Sequence, residues 1–535
     1  MAGTVRQASA GDAAAWVELL KACLGDEYPA KDVYDPAWVG RQLDPASGSE
    51  TFVVGSGGRL QCAITILKPV DATNNPVANL GRNLFRPESY NDSSAMLLLQ
   101  RITELGEARG QMIVIRVPAT DMAQQKLCED AGYKCVGFQP HKHILRTRQG
   151  VLFYVHSATP VLVSRQPISD SLPQVCELAT KVLESFNVPQ PLTVRDGATG
   201  YPLQSSDLRI IEASFDDFVL WQQQARAEHP FVEISTGYNR GAGFLRLNDS
   251  CPFRAYLGQR GDKMVCGLAY FFDEQDRCVR VLDSFSTDDL SLGAVFQNTV
   301  RKAQEVMSAA YLEVDVLASA TRLLKSAEQL GFVPIAYFPG FFTLDNRQTD
   351  VIKLVKLNML YTPETASLTP HALAIAKIVD QNFQDQKMGI AIINLLRGLP
   401  IFEGLGDGEL RKIARLFTQK LFRPGERIFN KGDAGNEAYV VMRGQVDIAL
   451  SEESKPIATI NSGQIFGELA FLDGAPRTAM AIAAQPSILL VVQRIAFMEL
   501  VQREPHLGMV VMRNIAMDLS NKLRKANAAI SQSKK

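Results

Sequence analysis

The chain has 535 residues, 46% hydrophobic and 21% charged, a composition that fits a globular protein and excludes a disordered or fibrous one. At roughly 150 residues per domain the length calls for about three or four domains and excludes a single core. Lys and Arg number 56 against 57 Asp and Glu, so there is no global attraction to nucleic acid or to an anionic membrane.

The start, Met1-Ala-Gly-Thr-Val-Arg6, lacks the apolar core of a signal peptide, and the most apolar stretch, 479–492, is interrupted by Gln485 and Pro486. The expectation is a cytoplasmic protein with no membrane partner. Cysteines stand at 23, 62, 128, 135, 176, 251, 266 and 278 with no Cys-x-x-Cys pair, so neither disulfides nor a thiolate zinc site is expected. His141-Lys142-His143 puts two imidazoles on one strand face, with His156 across a hairpin. No carboxylate or thiolate shares that segment, so it reads as a plain strand and no metal is expected.

Residues 5–12, ahead of an Ala- and Leu-rich stretch, predict a strand running into a helix capped near Asp12. A hairpin of 51–54 and 59–67 turns through Gly-Ser-Gly-Gly. A helix over 94–109 and an apolar strand over 112–117 follow. A second helix ends at Asp130-Ala-Gly132-Tyr133, where glycine supplies the left-handed terminus, and a hairpin of 141–146 and 151–155 closes the pattern.

The same order then returns. Ala213-Ser214 repeats Ala8-Ser9 at an offset of 205, and 254–257 with 263–272 repeats the hairpin around Gly-Gln-Arg-Gly-Asp. The helix recurs over 293–309, the strand over 311–317 at an offset of 199, the helix end at Gln329-Leu-Gly331-Phe332, and the last hairpin at 341–344 and 351–355. Cys62 and Cys266 sit at similar places and read as small apolar core residues. One α/β domain is thus used twice. Between the copies, 172–186 predicts a helix with Ser171 as cap and Pro173 in its first turn. It ends at Asn187-Val-Pro189-Gln-Pro191, and the segment reads as a connector packed on the first copy.

This order of strands and helices, with its "helix, x-x-Gly-Phe/Tyr, strand, hairpin" ending, resembles the GNAT acyltransferase superfamily over about residues 4–160 and 206–360. The resemblance implies acyl-CoA, acetyl-CoA or another, as donor, its pyrophosphate held on backbone NH groups at a helix start through a Gln/Arg-x-x-Gly-x-Gly/Ala motif. In the first copy Ser93 and Ala95 take the glycine places, Ser94 lies between them, and Tyr90 replaces the Gln/Arg. In the second, Ser291 and Gly293 take those places and Asp288 stands where the basic residue belongs. Asp92, Asp288 and Asp289 would cap these helices themselves and repel a pyrophosphate. Where the family often has a Tyr acid, this chain has Cys128 and Ala327. Cys128 is thus a candidate acid, or inert core. Glu88, Asp283, Glu313 and Asp315 are candidate bases, the last two with the alternative of a polar strand face.

After a helix over 370–396, short strands punctuated by Gly425, Gly432, Gly435, Gly444 and Gly463 predict an all-β roll with helices at its ends. Within it, Phe466-Gly-Glu-Leu-Ala-Phe-Leu-Asp-Gly-Ala-Pro-Arg-Thr-Ala-Met-Ala481 and the upstream Pro424-Gly-Glu-x-Ile-Phe…Gly432-Asp433 resemble cyclic nucleotide-binding domains. The resemblance implies a site of Gly467, Glu468, Leu469, Ala470, Arg477, Thr478 and Ala479. Arg477 would pair with the cyclic phosphate, NH groups of the helix from Gly467 would add donors, and Glu468 would accept from the ribose hydroxyl. The alternative is that Glu468 and Arg477 pair with each other in an empty roll. Thr478 leaves cyclic AMP and cyclic GMP both open, with cyclic AMP favoured. The last helix, 507–524, aligns Met512, Ala516, Leu519 and Leu523 as a homodimer seam, a lid over the base, or a face packed on its own roll. Too little chain follows Arg524 for a helix-turn-helix, so no nucleic-acid partner is expected.

The expected fold class is multidomain α/β plus β-roll: GNAT-like domains at 1–160 and 206–360, a connector at 161–205, a helical linker at 361–395, the roll at 396–526 and a tail at 527–535. The expected function is a cyclic nucleotide-regulated N-acyltransferase acting on a protein lysine or a small amine. The alternative is a non-catalytic cyclic nucleotide sensor.

Overall fold

The computed structural model describes all residues except 1–3, 27, 29–30, 57, 68–76, 145–147, 169, 189–192, 195–197, 229–232, 235–252, 275, 345, 360, 363–366 and 534–535. Cys251, Pro189 and Pro191 therefore lie outside the described residues, as do the side chains of His143 and Leu523. The chain divides into two compact units, Met1–Phe383 and Gln384–Lys535, so both copies and the connector share one unit and the division falls beyond residue 360.

In the first copy the strands are β1 (Val5–Gln7), β2 (Glu50–Ser56), β3 (Arg59–Ile66), β4 (Val77–Phe85), β5 (Met112–Pro118), β6 (Lys134–Ile144) and β7 (Arg148–Ser157). Its helices are α1 (Ala13–Leu24), α2 (Pro36–Leu43), α3 (Pro87–Asn91), α4 (Ser94–Ala108) and α5 (Met122–Asp130). The Asp12 carboxylate accepts from the backbone NH of Ser9, 2.9 Å away, closing the turn that leads into α1. Gly132, at φ 87°, ends α5 in the left-handed region.

The connector carries α6 (Thr159–Val163) and α7 (Pro173–Ser185). The second copy repeats the strands as β8 (Arg209–Ser214), β9 (Arg254–Arg260), β10 (Lys263–Asp273), β11 (Cys278–Ser286), β12 (Tyr311–Leu317), β13 (Val333–Leu344) and β14 (Arg347–Leu357). Its helices are α8 (Phe215–Glu228), α9 (Leu292–Glu305) and α10 (Thr321–Gln329), and α11 (Pro370–Arg397) follows.

All these strands form one 14-stranded sheet, β1-β2-β3-β4-β5-β7-β6-β13-β14-β12-β11-β10-β9-β8, in which the second copy reverses the order of the first. The copies join where Gly137 of β6 pairs with Ala336 of β13. A Cβ on Gly137 would lie 2.1 Å from the Ala336 Cβ, so glycine lets the strands meet. One hydrophobic core draws on both copies, Phe153 meeting Phe338 edge-on at 5.6 Å.

The connector differs from expectation. It packs across both joining strands, α7 lying against β13 and β6, rather than on the first copy alone. Ser171 does not cap α7: the extended Leu172 does, because Pro173 at the first helical position holds the preceding residue out of the helix. Ser171 instead pairs with Val194 in a short parallel bridge.

In each copy two parallel strands start together and then part. β4 and β5 pair over Val77–Leu80 and Met112–Ile115, and β11 pairs with β12 over Cys278–Arg280 and Tyr311–Glu313. Beside the first fork the register against β3 slips between Thr65↔Gly81 and Ala63↔Leu84, so Arg82 and Asn83 together stand opposite Ile64 as a bulge. The second copy has its slip between Tyr270↔Val281 and Ala269↔Asp283.

β12 is buried along its whole length, which overturns the reading of Glu313 and Asp315 as a polar face. Glu313 answers two buried cations, Lys142 of β6 at 3.3 Å and Arg280 of β11 at 2.5 Å, and accepts from Gln139 Nε2 at 2.7 Å. Asp315 pairs with Lys353 at 2.5 Å. Both carboxylates are held in structural ion pairs that suit neither to act as a base.

The second unit continues with α12 (Asp407–Ala414), β15 (Phe417–Phe422), β16 (Arg427–Phe429), β17 (Glu437–Arg443), β18 (Gln445–Ala449), β19 (Ala458–Asn461) and β20 (Ile465–Phe466). It ends with α13 (Glu468–Asp473), β21 (Met480–Ala483), β22 (Ser487–Gln493), α14 (Arg494–Arg503) and α15 (Pro505–Ser533). The strands form two sheets, β15-β22-β17-β20 and β16-β21-β18-β19, around Tyr439, Val441, Val446, Phe466 and Leu489. On α15, Leu507, Val511 and Ile515 pack with Ile401, Phe402 and Leu410, and Met512 and Leu519 lie against the same cluster. Those two residues of the expected seam thus cover the roll's own helices, while Ala516 is exposed. No helix among the described residues is long and apolar enough to cross a membrane, and no disulfide joins the described cysteines.

Burial pushes the Glu313 carboxyl up, but Lys142, Arg280 and Lys353 outweigh it and hold the group well below the usual glutamate range. The folded state therefore binds the Glu313 proton more weakly than the unfolded chain does. This contribution is complete above the unfolded value near pH ~4.3 and is lost as the pH falls toward the folded one. Glu313→Ala takes the nearest carboxylate from Lys142 and Arg280, leaving them the longer contacts to Asp273 and Asp276 at 3.7–3.9 Å, and is expected to cost about 3 kcal/mol. Chemical denaturation of the first unit's transition at pH 7 measures it.

Candidate functional site

The roll's site is built on a helix with a left-handed residue at each end. Gly467, at φ 76°, opens α13 and Gly474, at φ 74°, closes it. Gly435 is needed for a different reason: a Cβ there would lie 2.1 Å from the Ala470 Cβ, so its lack of a side chain lets α13 settle onto the segment before β17. Three residues later Arg477 is tied by its backbone to the Gly432-Asp433 turn, Gly432 NH donating to Arg477 O and Arg477 NH to Asp433 O, each at 2.8 Å.

The Arg477 side chain is only 4% exposed. Its Nη1 donates to Gly467 O at 2.9 Å and its Nη2 to Glu437 O at 2.6 Å. The guanidinium lies 4.2 Å from the centre of the Phe429 ring and 5.7 Å from that of Tyr439. Its buried Nε meets no acceptor. Burial pulls the pKa down, with Tyr439 and Glu437 acting the other way. Arg477 makes no ion pair with Glu468 among the described residues, so the pairing considered from sequence does not form. A cation held by carbonyl dipoles and ring faces, which makes no ion pair among the described residues and feels the Glu437 and Asp433 carboxylates only at longer range, is suited to a singly charged anion.

Glu468 is half-buried at the first position of α13, Ala470 and Ala479 are buried, and Leu469 and Thr478 are exposed. Sequence reasoning had Phe429 in the upstream motif without giving it a role at the site, and passed over Glu437, Tyr439 and Arg494. Arg494 donates from Nε to Phe471 O at 2.8 Å and from Nη2 to Leu472 O at 3.3 Å, clamping the C-terminal end of α13 to the start of α14. An arginine directly after a strand was the available signal.

The candidates in the first unit are not gathered into a site. Glu88 is half-exposed and paired with Arg59 at 2.7 Å. Cys128 is fully buried, and burial raises its thiol well above the ordinary value, so it neither reaches a leaving group nor gives up its proton readily. Asp283 is buried against Arg226 at 2.9 Å and accepts from the NH of Ser284. At the start of α4, Ser93 adopts φ 64° and the Asp92 carboxylate takes the NH of Ser94 at 2.9 Å, while Ser94 and Ala95 are buried. Tyr90, in place of the basic residue, donates to Asp121 at 3.4 Å.

At the start of α9 the Asp288 carboxylate accepts from Leu290 NH, Ser291 NH and Ser291 Oγ, and Arg260 pairs with it at 2.6 Å. A Cβ on Gly293 would lie 2.5 Å from Pro202 O, so this glycine makes room for the connector. The residues expected to cradle an acyl-CoA pyrophosphate thus spend donors and space on the protein itself.

Residues 419–504 match the sequence family described as the cyclic nucleotide-binding domain. The second unit contains a cyclic nucleotide-binding domain. Among curated proteins the chain is 32% identical over 135 residues to the cyclic AMP receptor protein of Thermus thermophilus, covering 25% of this chain and 61% of that one. It is 35% identical over 88 residues to a cAMP-dependent protein kinase regulatory subunit of Yarrowia lipolytica, covering 16% and 24%. It is 33% identical over 115 residues to a cGMP-dependent protein kinase of Caenorhabditis briggsae, covering 21% and 15%. Among solved structures, the Thermus thermophilus catabolite activator protein is 30% identical with a TM-score of 0.23, covering 25% of this chain and 62% of that one.

In this domain a Cβ on Gly467 would lie 2.7 Å from Arg477 Nη1, at a backbone angle that already disfavours side chains. Gly467→Ala is expected to displace the guanidinium and to destabilise the second unit by about 1–2 kcal/mol. Thermal denaturation followed on that unit's transition checks it.

Proposed function

We propose that the chain is a cyclic nucleotide-regulated protein whose second unit binds cyclic AMP through Arg477 and controls an output in the first unit. The observation that carries this reading is the buried Arg477, held by two carbonyls and two aromatic rings and making no ion pair with a carboxylate among the described residues. A cyclic phosphodiester supplies the missing negative charge, and Glu468 offers the ribose an acceptor. Cyclic AMP is favoured over cyclic GMP by the names of the first two relatives, while the cGMP-dependent kinase and the exposed Thr478 keep cyclic GMP as the comparison ligand. A phosphate drawn into this pocket pulls on α13, and Arg494 passes that movement to α14.

The output we assign is N-acyl transfer from an acyl-CoA to an amine, either a protein lysine or a small molecule, in the first copy. Support comes from its strand order and from the parting of β4 and β5, which leaves a fork in the sheet. A second reading, a non-catalytic sensor, is favoured by the self-capping of α4 by Asp92 and of α9 by Asp288. On either reading the second copy is scaffold, since Pro202 and Asp288 occupy its helix start.

Arg477→Ala is expected to weaken cyclic AMP binding roughly 100-fold or more, measured by calorimetry on the full chain. Acetyl-CoA is then incubated with the full chain and a panel of amines, and thiol release is followed with and without cyclic AMP. Release that changes with the nucleotide is the expected result. Nucleotide binding with no release at any amine establishes the sensor instead.

A further inference from the structure

The bulge beside the first copy's fork holds an arginine with no counter-ion among the described residues. Arg82 is 3% exposed and its Nη2 has no hydrogen-bond partner. No carboxylate among the described residues pairs with it, and the titratable group acting on it is the phenol of Tyr28. Burial pulls the guanidinium down to about 10, which leaves it cationic at neutral pH. Its backbone is in the left-handed region at φ 53°, a conformation that a long side chain adopts only when the surroundings impose it. The next residue, Asn83, donates from Nδ2 to Arg116 O across the fork at 3.3 Å, and its buried Oδ1 also has no partner. Strain, a buried unpaired charge and an orphaned acceptor thus fall on consecutive residues where the strands part. Left empty, such an arrangement is costly to the fold.

The second copy carries a sealed charge pair beside its own bulge. There the strand carries a carboxylate, Asp283, 2% exposed, and Arg226 of α8 reaches it at 2.9 Å. In the register, Asp283 stands opposite Ala269 as Leu84 stands opposite Ala63, so the pair lies beside the equivalent bulge. In the first copy the strand carries the cation Arg82, two residues before Leu84, and no carboxylate among the described residues pairs with it.

We propose that the β4–β5 fork of the first copy is a binding site for a small carboxylate-bearing molecule, of the amino-acid class, whose carboxylate pairs with Arg82 as Asp283 pairs with Arg226. Asn83 Oδ1 accepts from a donor on the same molecule, such as its amino group. A planar carboxylate matches the guanidinium edge in two parallel contacts. The inference concerns binding alone and holds whether or not the first copy transfers an acyl group.

The test uses the full chain with glycine, L-alanine, L-glutamate, N-acetylglycine and succinate, each against its carboxamide, and inorganic phosphate as a separate arm. Melting of the first unit is followed, because a ligand that binds only the folded state raises its transition temperature. The expected result is a concentration-dependent rise with at least one carboxylate, none with its carboxamide, and a loss of affinity of about tenfold or more in Arg82→Gln. Asn83→Ala is expected to weaken the same ligand. The proposal is overturned if no carboxylate in the panel shifts the wild-type chain, if carboxamides bind equally, if phosphate alone binds, or if Arg82→Gln binds as wild type does. Should Arg82→Gln fail to fold, the contrast between carboxylate and carboxamide on the wild-type chain decides.

Discussion

An ion taken out of water must be met by an opposite charge or by aligned dipoles, and three of the four arginines buried among the described residues answer that demand differently. Arg280 is met by Glu313, which Lys142 of the other copy shares. Arg477 is met by main-chain carbonyls and ring faces. Arg82 is met by no carboxylate among the described residues, and its Nη2 has no hydrogen-bond partner. The first solution closes a structure, because the charges cancel within the protein. The other two leave positive charge buried, and the fold carries that cost where a ligand can offset it.

The same contrast separates the two copies. They share strand order, fork and helix placement, yet the second has been made solid: Arg226 neutralises Asp283, Asp288 consumes the donors at the start of α9, and the connector lies against Gly293. Its β12 and β11 then supply Glu313 and Arg280 to the seam with β6. A duplicated domain can thus spend one copy on stability and keep an unsatisfied charge in the other.

The cassette in the roll was legible because its parts are neighbours in the chain. Gly467, Glu468 and Arg477 lie within one short segment, and the turns that shape it are set by glycines whose positive φ other residues resist. Glu437 and Tyr439, which with Phe429 surround Arg477, come from a strand well upstream and carry no mark that separates them from ordinary strand residues. The acyl-CoA loops show the reverse. Ser93, Ser291 and Gly293 stood in suggestive places, and only the contacts show that Asp92, Asp288 and Pro202 occupy the space and donors they offered.

The sequence by itself determined the repeated order of strands and helices, the helix ends at Gly132 and Gly331, and the identity of the roll. These rest on periodicity and on turn chemistry among residues close in the chain. It left β4 and β11 unread, although their bulges place Arg82, Asn83 and Asp283. Only the tertiary structure decided that the copies share one sheet through Gly137 and Ala336, that Glu313 is a structural ion, and that Arg82 pairs with no carboxylate among the described residues. Whether a charge is paired depends on groups brought together from distant parts of the chain, and no local pattern records which of them arrive.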